Sequence, residues 1–233
     1  MTQDNPNTTN GHSLAPAQKL AQLADILRDR SVYGLYYATD IYTREHFQKV
    51  QDVALELAAL ATDQPLEEIE LLRSTVYARP GPFPTGDGAV IDDAGRILLI
   101  RRADNGLWAM PGGGLEVGET PAQGVVREVI EESGVSCEPV ALVGVFDSRF
   151  CGTKSLNQLY QFTFLCRPLP EIAVVSPPSF AHEVLDIRWF SEAELPADVD
   201  PSHVERIPQA FRVWHGDPTA YFDKPEYPLQ TKE

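Results

Sequence analysis

Residues 112–135 read GGGLEVGETPAQGVVREVIEESGV, and they contain the strongest local signals of the whole sequence. Thr120 is a residue type that caps helix N-termini, and Pro121 suits the first position of a helix. Gly134 is a typical residue just beyond a helix C-terminus, because it tolerates a left-handed backbone. The sequence therefore predicts a helix over 121–133, preceded by a loop rich in glycine.

Three carboxylates lie on one face of this predicted helix. Glu128, Glu131 and Glu132 stand at positions i, i+3 and i+4, so their Cβ atoms are roughly 5–6 Å apart. Near the C-terminal end of a helix they repel one another and oppose the helix dipole. Mg²⁺ or Mn²⁺ would relieve this repulsion, because hard cations bind clustered carboxylate oxygens. The alternative is a solvated acidic face that is paired with basic side chains.

The spacing of these residues resembles the signature of the Nudix hydrolases. It consists of Gly113, five residues, Glu119, seven residues, Arg127-Glu128, an aliphatic residue, any residue, Glu131-Glu132, any residue, Gly134 and Val135. The flanking segments Trp108–Gly113 and Arg188–Ser191 are also similar to those of the family. The resemblance covers residues 84–215.

The resemblance implies a Mg²⁺-dependent pyrophosphohydrolase, in which Mn²⁺ would be an alternative ion. Such an enzyme cleaves a nucleoside diphosphate linked to a group X into a nucleoside monophosphate and phospho-X. By resemblance, Glu128 and Glu132 are the principal metal ligands and Glu131 contributes. The carbonyl of Gly112 completes the metal site, and the backbone at Gly112 and Gly113 approaches the phosphates without an intervening side chain.

The resemblance also assigns roles to the charged residues around the metal ligands. Arg127 is expected to pair with Glu119, which holds the loop against the helix and orients Glu128. The general base stays open between Glu128 and Glu183, since relatives place this group on different elements. The alternative for Glu183 is a solvated loop residue.

Apolar periodicity predicts three helices in the N-terminal block. The first begins at Pro16 and ends at Gly34, the second covers about 43–62, and a short third helix begins at Pro65. The buried stripe of the second helix is predicted to consist of Phe47, Val50, Val53, Leu57 and Leu60.

A tyrosine-rich segment joins the first two predicted helices, and it carries a second resemblance. Gly34-Leu35-Tyr36-Tyr37, followed by Asp40 and Tyr42, is similar to the N-terminal helical domain of a subset of Nudix enzymes. Members of that subset hydrolyse X-linked nucleoside diphosphates such as CDP-choline and ADP-ribose. This resemblance implies a homodimer, for which two-fold symmetry is the usual arrangement.

A proline- and glycine-rich segment ends the helical block, and strand patterns follow it. Ala89–Ile91 and Ile97–Ile100 are predicted to form a hairpin. Further strands are predicted over 139–147, 159–166 and 184–190, and a C-terminal helix over 203–214. The predicted class is α+β: a Nudix α/β/α sandwich with a mixed sheet, after a small helical domain. Its boundaries are a disordered tail at 1–12, the helical domain at 13–79, a linker at 80–86, the Nudix domain at 87–217 and an irregular tail at 218–233.

Composition excludes several other classes of function. With 19 Lys and Arg against 34 Asp and Glu, the net charge is −15. A nucleic-acid polymer or an anionic membrane is therefore not an expected partner, because both need a positive surface. The sequence shows no signal-peptide pattern and no apolar run long enough to span a bilayer. Its three cysteines form no Cys-x-x-Cys pair, so a cytoplasmic protein is expected.

Two further functions remain open alongside the diphosphate hydrolase. One is a pyrophosphohydrolase of the MutT type, which removes damaged nucleoside triphosphates, and the other is a nucleotide sensor without catalysis. The sequence does not identify the base or the X group. Gln158 and Tyr160 are candidates for contacting the substrate, although they could equally be a surface residue and a core residue.

Overall fold

The computed structural model describes residues 14–78, 81–152, 158–169 and 182–224. The chain divides into two compact units, Met1–Gly81 and Pro82–Glu233. The predicted disordered tail at 1–12 lies outside the described residues.

None of the helices in the described ranges combines the length and the apolar character that crossing a membrane requires.

The first unit is helical, as predicted. It contains α1 (Pro16–Tyr37), α2 (Ile41–Thr62) and the short α3 (Leu66–Glu70), followed by one turn of 3₁₀ helix. Asp40 caps α2, because its side-chain oxygen accepts a hydrogen bond from the Thr43 N–H at 2.8 Å. The second helix therefore begins two residues before the predicted start at 43.

The predicted end of the first helix at Gly34 is wrong, because α1 continues through this residue to Tyr37. The reason is a close approach between helices. A Cβ atom on Gly34 would lie 2.3 Å from the ring of Phe47 on α2, so only glycine leaves room for that ring. Gly34 therefore serves packing between α1 and α2 rather than helix termination, and the tyrosines at 33, 36 and 37 are helical.

The predicted buried stripe of α2 is also wrong in part. Val53 is 47% exposed and Leu60 is 69% exposed, whereas the small residues Ala54 and Ala59 are buried with Leu55. Helices with alanine at the contact approach one another more closely than helices with larger side chains, which explains why the alanine face packs inward. The larger apolar residues are left on the outer face of α2.

The core of the first unit combines apolar packing with one buried polar contact. Gln51 is buried, and its Nε2 donates to the carbonyl of Tyr77 at 2.9 Å. The Oε1 atom of Gln51 accepts a hydrogen bond from Arg73 at 3.0 Å. Around it lie Val32, Ala54, Leu55, Ala59, Ile69 and Tyr77.

The described residues of the second unit form two sheets, two α-helices and a short 3₁₀ helix at Glu192–Glu194. Its elements are β1 (Phe83–Val90), β2 (Arg96–Arg102), β3 (Trp108–Ala109), β4 (Gly112–Gly114), α4 (Pro121–Ser133), β5 (Cys137–Asp147), β6 (Leu159–Pro168), β7 (Val184–Ser191), α5 (Arg206–Trp214) and β8 (Tyr221–Phe222). One sheet has the order β4-β1-β6-β5-β8 and the other has the order β3-β2-β7. The β1–β6 and β5–β8 pairs are parallel and the others are antiparallel, so the sheet is mixed as predicted.

The predicted hairpin between 89–91 and 97–100 is wrong. Strand β1 is flanked by β4 and β6, so both of its edges are already paired when the chain turns into β2. Strand β2 joins the other sheet, and an isolated bridge between Ile91 and Ile97 is what remains of the expected pairing.

Three element boundaries also differ from the predictions. Strand β1 begins at Phe83, inside the segment predicted as a linker over 80–86. Strand β8 lies inside the C-terminal segment predicted to be irregular, because Tyr221 and Phe222 pair with β5. Helix α5 begins at Arg206 rather than at 203.

Alternation along the strands explains why both faces of the sheets are covered. Ala89 and Leu99 belong to a core that includes Ile207 and Phe211 of α5. Their neighbours in sequence, such as Val90 and Leu98, belong to a second core with Val125 and Val129 of α4. Since successive strand residues point to opposite faces, β1 and β2 are buried between the two helices.

Candidate active site

The helix α4 forms where the sequence predicts it. The Thr120 hydroxyl accepts a hydrogen bond from the Gln123 N–H at 3.3 Å, and the Gln123 side chain accepts one from the Thr120 N–H at 2.8 Å. Gly134 ends the helix with a φ of 70°. Val125 and Val129 face the core, and Glu128 and Glu132 lie beside this apolar stripe, three and seven residues after Val125.

Arg127 links the glycine-rich loop to the acidic face of α4. Its guanidinium donates to Glu119 through Nε at 3.1 Å and through Nη2 at 2.8 Å. Nη1 donates to Glu128 at 2.8 Å and to Glu131 at 3.1 Å, and Nη2 also donates to the carbonyl of Gly114 at 3.0 Å. The expected pairing of Arg127 with Glu119 is therefore present, and Arg127 fixes Glu128 as well.

Glu128 and Glu132 both reach the glycine strand β4. An oxygen of Glu132 accepts a hydrogen bond from the Gly112 N–H at 2.7 Å. A Cβ atom on Gly113 would lie 2.8 Å from the carboxylate of Glu128, so this position has no room for a side chain. Two carboxylates one helical turn apart therefore lie against adjacent glycines, while Glu131 is directed to Arg127.

Burial and mutual repulsion act on these carboxylates. Burial raises the pKa of Glu132 to about 8; Glu128 and Asp87 add to this effect, and the hydrogen bond from Gly112 opposes it. Burial also raises the pKa of Glu128, although the hydrogen bond from Arg127 opposes the shift. Burial has the same tendency at Glu119, but there the hydrogen bonds from Arg127 prevail and the pKa lies below its ordinary value. The effect of burial therefore prevails at both carboxylates of β4, although Glu128 shares the guanidinium of Arg127 with Glu119 and Glu131.

The donor set at β4 fits a hard divalent cation in its chemistry. Glu128 and Glu132 supply carboxylate oxygens in a partly buried place, and a cation would favour their ionised forms. Within the described ranges, no three acidic, histidine or cysteine side chains are already grouped closely enough to hold a metal ion. The fit therefore rests on two carboxylates together with backbone or solvent oxygens.

A cavity of about 510 Å³ opens beside this site. Glu132, Gly112 and Gly113 form part of its wall. The rest of the wall comes from β1, β2, β3, β6, the loops around β3, the loop after β5, and the segment that leads into α5. Its residues are Thr85, Asp87, Ile100, Arg102, Asp104, Asn105, Leu107, Ala109, Met110, Gly152, Leu159, Gln161, Asp200, Pro201, Ser202, His203 and Arg206. This volume lies within the usual range for small-molecule sites.

Two arginines bring positive charge to the cavity wall. Arg102 donates to Asp104 at 3.0 Å and 2.7 Å and keeps much of its side chain in contact with solvent. Arg206 is fully buried and forms an ion pair with Asp87, which is also buried. Burial raises the pKa of Asp87, and the guanidinium of Arg206 opposes that shift.

A histidine completes the buried polar part of the wall. His203 is 3% exposed, and its Nδ1 accepts a hydrogen bond from the Met110 N–H at 3.3 Å. Burial holds the pKa of His203 well below its ordinary value, and the positive charges of Arg206 and Arg102 add to this effect. The imidazole is therefore neutral.

The other sequence candidates lie away from the cavity wall. Glu183 is exposed, and its carboxylate lies 3.4 Å from the ring of His182. Gln158 donates to Asp147 at 2.6 Å, and Tyr160 is 43% exposed. None of these residues lines the cavity, whereas their strand neighbours Leu159 and Gln161 do.

Sequence patterns do not indicate the charged cavity residues that lie outside the signature. Asp87 lies within a strand that is otherwise buried, and Arg206 lies next to the apolar face of the last helix. An isolated charge in such a place signals a buried ion pair, but its partner cannot be identified without the fold. His203 carries no comparable signal in the sequence.

Comparison with protein families places this architecture in a known class. Residues 82–210 match the family described as "NUDIX domain", and residues 18–72 match "UDP-X-like, N-terminal oligomerisation domain". The first match covers more than half of the chain, and the chain therefore belongs to the Nudix hydrolase family.

Two curated relatives from Bacillus subtilis are similar to about half of this chain. One is named "Putative ADP-ribose pyrophosphatase YjhB" and is 35% identical over 130 residues, which cover 56% of this chain and 62% of that protein. The other is named "Putative 8-oxo-dGTP diphosphatase" and is 39% identical over 118 residues, which cover 51% of this chain and 72% of that protein. This chain thus spans about three fifths of the length of the YjhB protein.

A solved structure extends the likeness to most of the chain. The crystal structure of a UDP-X diphosphatase has a TM-score of 0.53 and 23% identity, and the match covers 86% of this chain and 96% of that one. At this identity the likeness shows the fold alone.

Proposed function

We propose that this protein is a divalent-metal-dependent pyrophosphohydrolase that cleaves nucleoside diphosphates linked to a group X. The observation that carries the proposal is the meeting of Glu128 and Glu132 at the glycine strand beside the cavity. The UDP-X-like match of the N-terminal unit and the name of the YjhB relative support the same class of substrate.

The residues of the site have separate roles in this proposal. When bound, Mg²⁺ neutralises charge on the diphosphate and lowers the pKa of a coordinated water. Glu128 and Glu132 would hold the ion, with the carbonyl of Gly112 as a further ligand. Arg127 positions Glu128 and ties the loop to α4, and Arg102 provides positive charge for phosphate oxygens.

For the general base, the geometry favours Glu128 over Glu183. Glu128 is partly buried against β4, and burial raises its pKa above the ordinary value, which makes the carboxylate a stronger base. Glu183 is exposed, and its carboxylate lies 3.4 Å from the ring of His182. We therefore expect Glu183→Gln to retain most of the wild-type turnover.

A substrate panel tests the proposed function. CDP-choline, ADP-ribose and UDP-sugars are incubated with Mg²⁺, and the products are separated by ion-exchange chromatography. At least one compound should yield a nucleoside monophosphate and phospho-X. If none is turned over at high enzyme concentration with Mg²⁺ or Mn²⁺, the proposal is wrong.

A second candidate function is the hydrolysis of oxidised nucleoside triphosphates. It is favoured by the relative whose name refers to 8-oxo-dGTP, which is 39% identical to this chain. The UDP-X-like N-terminal match favours the diphosphate substrates instead. Release of inorganic pyrophosphate from 8-oxo-dGTP, at a higher kcat/KM than any diphosphate-linked compound, would establish the second function.

A further inference from the structure

His203 has a hydrogen-bonding group that the protein does not use. Its Nδ1 accepts the N–H of Met110, so in the neutral ring the proton lies on Nε2. Among the described residues, no partner for Nε2–H is found, although the side chain is 97% buried and lines the cavity. Nε2 is not one of the enclosed polar atoms without a partner among the described residues, so its N–H opens to the cavity, where a ligand or water can accept its hydrogen bond.

The place of His203 relative to the proposed metal site follows from the chain itself. His203 binds the N–H of Met110, and Glu132 binds the N–H of Gly112. Two residues of extended chain span at most about 7 Å. His203 and Glu132 are therefore held to one short segment, close enough for one nucleotide to contact both.

The cavity wall contains both charged side chains and an uncharged hydrogen-bond donor. Positive charge comes from Arg102 and Arg206, whereas His203 is a neutral donor. Apolar side chains such as Ile100 and Leu107 lie on the same cavity wall. A nucleobase matches this combination, because it has apolar faces and an edge with uncharged acceptor atoms.

We propose that His203 binds the substrate by donating a hydrogen bond from Nε2–H to an uncharged acceptor atom of the nucleobase. This inference rests on the function proposed above, because it assumes that the cavity holds a nucleotide. It assigns His203 to recognition of the base rather than to the phosphates or to proton transfer.

Two pairs of reagents test the inference. Ribose 5-phosphate carries a hydroxyl at C1 where a nucleoside monophosphate carries the base, so AMP, CMP, GMP and UMP are each compared with it by calorimetry in Mg²⁺. His203→Asn retains an acceptor for the Met110 N–H and shortens the side chain, whereas His203→Gln places an amide N–H near the position of Nε2. Thermal unfolding of both variants reports their folding.

The expected result depends on the base. The wild type should bind at least one of the four nucleotides more tightly than ribose 5-phosphate. His203→Asn should weaken that nucleotide by about three- to tenfold, the usual value of one neutral hydrogen bond, and leave ribose 5-phosphate unchanged. His203→Gln should recover most of the loss.

Several results would overturn the inference. These are equal losses for both variants, no loss for either, the same loss for ribose 5-phosphate, or no preference of the wild type for any nucleotide. If the variants do not fold, ¹⁵N-histidine NMR of the wild type decides, because the Hε2 signal must move with the preferred nucleotide and not with ribose 5-phosphate. Turnover of the diphosphate panel by the wild type separately tests the proposed function.

Discussion

Arg127 determines how the three carboxylates of α4 differ from one another. Its five hydrogen bonds reach Glu119, Glu128, Glu131 and the Gly114 carbonyl. Glu131 is thereby directed to the arginine, while Glu132 is directed to Gly112. Sequence spacing places all three carboxylates on one face, but only the fold shows which of them reach the glycine strand.

This difference predicts unequal effects of two matched substitutions. Glu132→Gln removes a charge from the proposed metal site and should lower kcat by at least about 100-fold, since several kcal/mol of charge stabilisation depend on the ion. Glu131→Gln, one position away on the same helix, should stay within about tenfold of the wild type. Steady-state kinetics at several Mg²⁺ concentrations measures both. Equal losses would contradict the division of roles.

The neutral state of His203 predicts a pH dependence of stability. Its pKa in the folded protein lies below the ordinary value of about 6.5, so below that pH the unfolded state binds more protons. The contribution of neutral His203 to the free energy of unfolding is therefore fully present above about pH 6.5, and it is lost as the pH is lowered. Compared with His203→Gln, the wild type should lose up to about 1.4 kcal/mol more per pH unit below that point.

Urea unfolding of both proteins between pH 7.5 and pH 5 checks this expectation. The other buried groups of the cavity are common to the two proteins, so their contributions cancel in the difference. Parallel curves for the wild type and His203→Gln would mean that His203 is protonated equally in the folded and unfolded states.

Among the helices and strands, those whose ends are set by their own residues could be predicted from the sequence. Thr120, Pro121 and Gly134 set both ends of α4, and the observed helix matches the prediction over 121–133. The hairpin failed because strand pairing is a non-local choice: β1 pairs with β6, which lies about seventy residues later in the chain. The metal-ligand candidates Glu128 and Glu132 could be proposed from the sequence because they lie close together on one helix. Asp87, His203 and Arg206 are distant in sequence or carry no motif, and only the fold brings them to one cavity.

At Gly34, packing between helices outweighs the usual tendency of glycine to end a helix. The effect of Gly34→Ala on stability should therefore change sign when Phe47 is removed. In a helix, alanine is more favourable than glycine by about 1 kcal/mol. In α1, however, the new methyl group would overlap the ring of Phe47, so Gly34→Ala should destabilise the protein by about 1–3 kcal/mol. In a Phe47→Ala background the same change should stabilise it. Chemical denaturation of the four proteins measures both effects.

At the scale of the molecule, the apolar outer face of α2 predicts self-association. Tyr42, Val53 and Leu60 return to one face of the helix and are 81%, 47% and 69% exposed. We propose that a second copy covers this face, in line with the oligomerisation domain matched by residues 18–72. Leu60→Glu should then yield monomers in light scattering, whereas Gln48→Glu, on another face of α2, should not. A monomeric wild type would refute the proposal.

The negative charge of the whole chain predicts that nucleotide binding requires a metal ion. A net charge of −15 repels a nucleoside diphosphate, and in the cavity the two arginines are already paired with Asp87 and Asp104. Glu128 and Glu132 can attract phosphate only through a cation, which would convert their repulsion into a positive site. Binding of diphosphate-linked nucleotides should therefore depend strictly on divalent metal. Calorimetry should detect CDP-choline or ADP-ribose in Mg²⁺ or in Ca²⁺, which occupies similar oxygen sites. In excess EDTA, affinity should fall by at least about 100-fold, and micromolar binding there would show that the arginines suffice.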